Sequence, residues 1–136
     1  MTEETLSISD ATRVRLDRLG LEFLADVLGM EARERPTNAA ALVSLGMVLT
    51  QLGRYQEGLL VDQRLVELHP EDPTAHYNLA CSLALTGERH KALDSLEEAA
   101  RRGYDDAPHL AADQDLESLR GEPRFLELLK KLEKGA

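Results

Sequence analysis

The sequence is poor in aromatic residues and has no tryptophan, since phenylalanine and tyrosine together make up 4% of its 136 residues. Alanine and leucine supply most of the apolar content, which favours closely packed helices over strands. Its one cysteine, Cys81, excludes an internal disulfide and fits a reducing compartment. The longest apolar run, 39–43, is far shorter than the roughly 20 residues that span a bilayer, so we expect no membrane insertion.

Positive charge is also scarce. The chain has 16 lysines and arginines against 25 acidic residues, which gives a net charge of −9 without any basic stripe. Nucleic acid and anionic membranes are therefore poor partners. Residues 1–10 contain no base and no apolar run, so we expect no secretory signal and a cytoplasmic location.

Motifs of catalysis and metal binding are missing as well. The chain contains no Gly-rich phosphate loop and no Gly-x-Ser-x-Gly elbow, and no base neighbours Cys81 along the chain. The four histidines lack the three- or four-residue spacing of a helical metal site. Asp113 and Asp115 lack the glycine of a calcium loop. We therefore expect a protein that is not an enzyme and that uses no cofactor and no metal.

What the sequence does contain is a repeat with a period of 34 residues. Five identities carry it, and they pair Ala41 with Ala75, Leu45 with Leu79, Leu49 with Leu83, Gly53 with Gly87, and Leu59 with Leu93. A fixed period of this size is typical of a solenoid, in which each unit buries its apolar face only by stacking on the next.

Apolar spacing and helix breakers divide the chain into four parts of a single domain. Residues 39–72 and 73–106 form the two clear units, with predicted helices over 39–52, 55–68, about 73–86 and about 89–102. Residues 10–38 are a degenerate unit that Gly20 is expected to split into a hairpin. Residues 107–136 are a C-terminal cap with a last helix over about 122–133. Its inward residues are expected to be Phe125, Leu126, Leu129 and Leu132.

The repeat resembles the tetratricopeptide repeat family, in particular small bacterial members. The first unit matches the family pattern at Leu42, Leu45, Gly46, Leu49, Gly58 and Pro70, whereas the second matches it at Leu79, Ala80, Leu83, Ala92, Leu96 and Ala99. Departures from the pattern are Asp62, Leu65 and Tyr104. The resemblance implies an all-α, right-handed solenoid of antiparallel helix pairs.

The resemblance also implies a binding groove lined by the first helices of the two units. Ten residues are expected to line it: Val43, Ser44, Met47, Thr50, Gln51, Thr74, Tyr77, Asn78, Cys81 and Leu85. The set carries no charge, although 30% of the chain is charged, so the groove suits an apolar or amphipathic peptide with Tyr77 as its anchor. The alternative is that the terminal helices cover this face as ordinary core.

Two functions follow from the resemblance. The first is a non-catalytic interaction module, an adaptor or scaffold, whose groove binds a peptide or protein segment. The second is a dedicated export-type chaperone that masks an apolar segment of a client. A clamp for a terminal carboxylate is not expected, because Val43 and Met47 stand where that class has lysine and asparagine. Homo-oligomerisation stays open.

Overall fold

The computed structural model describes residues 8–135 of the chain. Within this range it has no strand, and it consists of seven α-helices and one 3-10 helix. These are α1 (Asp10–Glu34), α2 (Ala39–Gln51), α3 (Tyr55–Leu68), α4 (Pro73–Leu85), α5 (Arg89–Arg101), α6 (Ala107–Ala112), the 3-10 helix (Gln114–Leu119) and α7 (Pro123–Lys134). Helix α2 packs on α3, α3 on α4, and α4 on α5. The prediction of an all-α solenoid of helix pairs is confirmed.

The N-terminal hairpin expected around Gly20 is wrong, because residues 10–34 form one continuous helix. Gly20 keeps a negative φ, and a single glycine inside a helix costs only about 1 kcal/mol, which is too little to end it. The hydroxyl of Ser9 caps α1 by accepting a hydrogen bond from the Thr12 amide at 3.2 Å. The C-terminal half of α1 packs on α2 through Leu21, Ala25, Leu28 and Ala32.

Three glycines end three of the helices as the sequence predicts. Gly53, Gly87 and Gly103 have φ values of 75°, 86° and 113°, which L-residues with a side chain rarely adopt. After α2, the amide of Arg54 donates to the Leu49 carbonyl at 2.9 Å, and the amide of Gly53 donates to the Thr50 carbonyl at 3.0 Å. These paired bonds form a Schellman motif, which satisfies the last carbonyls of the helix and reverses the chain.

Small residues lie where the helices cross, as the family pattern predicts. A Cβ atom on Gly46 would lie 3.2 Å from Asp62 Oδ1 and 3.6 Å from Val61 Cγ1, both on the facing helix α3. In the second pair, Ala80 and Ala92 are fully buried. The absence of larger side chains lets α2 approach α3 and α4 approach α5.

The C-terminal segment closes the open end of the second pair. Three leucines of this segment are fully buried against α4 and α5: Leu110, Leu116 and Leu119. Helix α7 then buries Phe125 and Leu128. The expectation that Leu126 faces inward is wrong, because the buried stripe runs through 125, 128, 129 and 132, and Leu126, 47% exposed, falls off that face.

Candidate functional site

A cavity of about 490 Å³ lies between α2 and α4, on the face formed by the first helices of the two pairs. The segment from α6 to the start of the 3-10 helix closes one end of it. Thirteen residues line the cavity: Val43, Gly46, Met47, Thr50, Gln51, Asp62, Tyr77, Asn78, Cys81, Ser82, His109, Asp113 and Asp115. We refer to this cavity as the groove.

Of the ten residues expected to line the groove, the structure brings seven together: Val43, Met47, Thr50, Gln51, Tyr77, Asn78 and Cys81. The other three, Ser44, Thr74 and Leu85, are not among the lining residues. Ser44 is exposed, whereas Leu85 is half-buried. Seven of the ten residues that the family's helical spacing places in the groove therefore line this cavity, whereas peptide binding there stays a prediction.

Tyr77 is a structural residue and not a free anchor. Its side chain is 4% exposed, and its ring stacks on Tyr104 with centroids 4.4 Å apart and planes 10° apart. Its hydroxyl donates a hydrogen bond of 2.6 Å to Asp113 Oδ2. Burial and then this hydrogen bond raise the pKa of Tyr77. The ring thus fastens the C-terminal segment to α4 and leaves no aromatic face for a ligand.

The expectation of an uncharged groove is wrong, because the tertiary structure adds carboxylates from outside the first helices. Asp62 reaches it from α3, and Asp113 and Asp115 reach it from the C-terminal segment. Asp62 is 6% exposed and accepts a hydrogen bond from Ser82. Burial raises the pKa of Asp62 to about 6, and the bond from Ser82 acts in the opposite direction. Among residues 8–135, no lysine or arginine lines the groove.

Cys81 lies beside two of these carboxylates. Its sulfur is 3.7 Å from Asp113 Oδ2, and candidate ligand atoms of Cys81, Asp113 and Asp115 all lie within 4.8 Å of one another. Burial, followed by the charge of Asp113, raises the pKa of the Cys81 thiol, so the thiol is protonated and a weak nucleophile. Burial and the neighbouring Asp113 also raise the pKa of Asp115.

The sequence alone did not place Asp62, Asp113 or Asp115 in the groove. Only the first of these residues leaves a visible sign in the sequence. Asp62 stands where the family has a large apolar or aromatic residue, and this departure is visible in the repeat. The missing side chain at Gly46 lets the buried Asp62 carboxylate border the groove, because a Cβ atom there would lie against Asp62 Oδ1. Asp113 and Asp115 carry only the signature of helix capping, so nothing in their spacing places them in the groove.

Two exposed apolar side chains and the exposed amide of Gln51 line the open part of the groove. Met47 is 60% exposed and Val43 39% exposed, one helical turn apart on α2. Thr50, on the same helix, donates a hydrogen bond from its hydroxyl to the Gly46 carbonyl at 3.0 Å. The groove thus combines exposed apolar side chains with the carboxylates of Asp62, Asp113 and Asp115.

A second apolar surface lies on α1. Five large side chains form one exposed row along this helix, at spacings of three and four residues: Leu16, Leu19, Phe23, Val27 and Met30. Phe23 is 71% exposed. The row lies on a different face from the residues that pack on α2, so α1 is apolar on two sides. We refer to it as the α1 row.

No protein-family model matches this chain. A protein of Arabidopsis thaliana whose name describes it as chloroplastic is similar to it, with 33% identity over 91 residues. The match covers 65% of this chain and 27% of that protein, so the chain spans about a quarter of its relative's length.

Solved structures of MamA share the fold. A crystal structure of MamA superposes with a TM-score of 0.68 at 19% identity, over 96% of this chain and 75% of that one. MamA MSR-1 C2 and the MamA RS-1 ArsTM double mutant each give a TM-score of 0.65, at 19% and 18% identity. They are matched over 86% and 90% of this chain and over 70% and 71% of their own. The chain therefore has a fold of the tetratricopeptide repeat type. Within residues 8–135, no helix is long and apolar enough to cross a membrane.

Proposed function

We propose that this chain is a non-catalytic interaction module whose groove binds an extended or helical peptide segment of a partner protein. The observation that carries the proposal is the groove itself, a cavity of about 490 Å³ with exposed apolar side chains on a rigid helical scaffold. Exposed apolar groups in a concave site are typical of surfaces that bind another molecule.

The contacts define what each part of the groove contributes. Val43 and Met47 would supply buried apolar area once a ligand covers them, and Asn78 would orient the ligand backbone. Tyr77 would contribute only indirectly, by holding the wall that contains Asp113. The one thiol in the groove is buried beside carboxylates and stays protonated, which makes it a weak nucleophile.

The test begins with capture of partners from a native lysate on the wild-type chain and on the double variant Val43→Glu and Met47→Glu. A carboxylate at either position would be desolvated without a cation when an apolar ligand covers it, so the variant should lose the partner. A matched control is Gln56→Glu and Gln63→Glu on α3, which adds the same charge at exposed positions away from the groove. Unchanged capture by the groove variant would refute the proposal.

The chaperone alternative is favoured by a different surface, the α1 row. A client with an apolar segment would bury this row, whereas the groove would contribute less. The two functions are separated by adding the variant Phe23→Glu to the capture experiment. One abundant client that depends on Phe23 favours the chaperone, and several assembly components that depend on Met47 favour the adaptor.

The location belongs to the same proposal. Our expectation is the cytoplasm of a bacterium, and the relative named for the chloroplast provides the alternative. Fractionation of the source cells, with the chain detected by antibody, distinguishes the two.

A further inference from the structure

Three potential metal-binding side chains, those of Cys81, Asp113 and Asp115, lie together at the closed end of the groove, and the His109 side chain lies beside one of them. Cys81 comes from α4 and His109 from α6, whereas Asp113 caps the 3-10 helix and Asp115 lies in its first turn. Asp113 Oδ2 lies 3.7 Å from Cys81 Sγ and 3.5 Å from His109 Nε2. The sequence spacing disfavours a metal because Cys81 is far from the other three along the chain.

The donor types, and two of the separations between them, match one class of ion. Zn²⁺ prefers thiolate, imidazole and carboxylate ligands at about 2.0–2.3 Å in a tetrahedron, which places neighbouring ligand atoms roughly 3.3–3.8 Å apart. The distances from Asp113 Oδ2 to Cys81 Sγ and His109 Nε2 fall in this range. A mixed set of sulfur, nitrogen and oxygen also distinguishes the cluster from an ordinary group of surface carboxylates.

We propose that the closed end of the groove binds Zn²⁺ through four side chains: Cys81, His109, Asp113 and Asp115. On binding, the thiol releases its proton to solvent and the sulfur donates an electron pair to the ion. The positive charge of the ion offsets the negative charge of the carboxylates. Among the described residues, no lysine or arginine lines the groove to do so. The ion would join α4 to the C-terminal segment.

The surroundings hold two of the ligands in place before any ion binds. Cys81 is 9% exposed, so its side chain is fixed by packing. The carboxylate of Asp113 accepts a hydrogen bond from the Tyr77 hydroxyl. The backbone carbonyl of Asp113 accepts a hydrogen bond from Arg120 Nη2 at 3.2 Å. Such outer contacts orient metal ligands in proteins. His109 has an exposed side chain one turn before Asp113, so its ring can turn toward the ion at little cost.

The experiment titrates the purified full chain with Co²⁺ and then displaces it with Zn²⁺. Co²⁺ bound by a thiolate in a tetrahedral site gives a charge-transfer band in the near ultraviolet together with intense visible bands. We expect both in the wild type, with a stoichiometry of one, and loss of both on addition of Zn²⁺. Cys81→Ser should abolish the near-ultraviolet band. Since losing even an outer contact weakens a metal site about 10–100-fold, His109→Ala should weaken Zn²⁺ affinity at least about tenfold.

The matched control is His90→Ala, which removes an exposed histidine of α5 outside the groove. It should leave both the spectrum and the affinity unchanged. If the wild type gives no thiolate band, or if Cys81→Ser and His109→Ala bind Zn²⁺ as the wild type does, the proposal is overturned. His109 is exposed, so its variant remains informative if Cys81→Ser fails to fold. The proposed peptide-binding function is tested separately from the metal site, by repeating the partner capture with a chelator present.

Discussion

Replacing Gly46 by leucine should destabilise the fold, because this position on α2 lies close against α3. The new Cβ would lie 3.2 Å from Asp62 Oδ1 and 3.6 Å from Val61 Cγ1, and the rest of the leucine side chain has to enter the same space. Overpacking of this kind costs about 1–3 kcal/mol. Leucine also gains up to about 1 kcal/mol of helix propensity over glycine, which partly hides that cost.

The control for this propensity term is Gly20→Leu, in the exposed part of α1. A Cβ atom there meets nothing within 4 Å, so the same substitution gains propensity without overpacking. We expect Gly46→Leu to be less stable than Gly20→Leu by about 1–3 kcal/mol. At roughly 4 °C per kcal/mol for a chain of this size, Tm should differ by about 4–12 °C. Thermal unfolding followed by circular dichroism measures this difference. Equal melting temperatures would show that Gly46 does not lie at a helix crossing.

Three further predictions concern other parts of the fold. Deletion of residues 121–136 should uncover the apolar end of the solenoid, and light scattering should then detect aggregation that the full chain does not show. The Asp62→Asn variant should gain stability relative to the wild type as the pH rises. The folded pKa of about 6 lies above the usual 3.8, so the contribution of Asp62 to wild-type stability falls between pH 4 and 6, by about 3 kcal/mol. Denaturant unfolding at pH 4 and pH 7 should show this, and an equal difference at both pH values would contradict it. Phe23→Glu should leave the melting temperature unchanged, since the side chain is 71% exposed. It should lower any concentration-dependent self-association seen by analytical ultracentrifugation, and unaltered association would exclude the α1 row as a self-association surface.

The local elements follow from the sequence because their determinants are local. The period of 34 residues, the glycines at helix ends and Pro73 in a first turn predict the four central helices to within one or two residues. The pattern of small residues also predicts which positions lie at helix crossings, since a helix exposes the same face every three or four residues. The face on which the cavity lies therefore follows from the spacing, whereas ligand binding on that face stays a prediction.

What only the tertiary structure decided is which parts of that face remain open, and what chemistry reaches it. Tyr77 has the spacing of a groove residue, but the return of the C-terminal segment buries it under Tyr104 and Asp113. Cys81 and Asp113 meet across 32 residues of sequence, and such a contact depends on how the 3-10 helix packs on α4. Helical periodicity describes one helix at a time, so it cannot foresee side chains that a later segment brings to the same place.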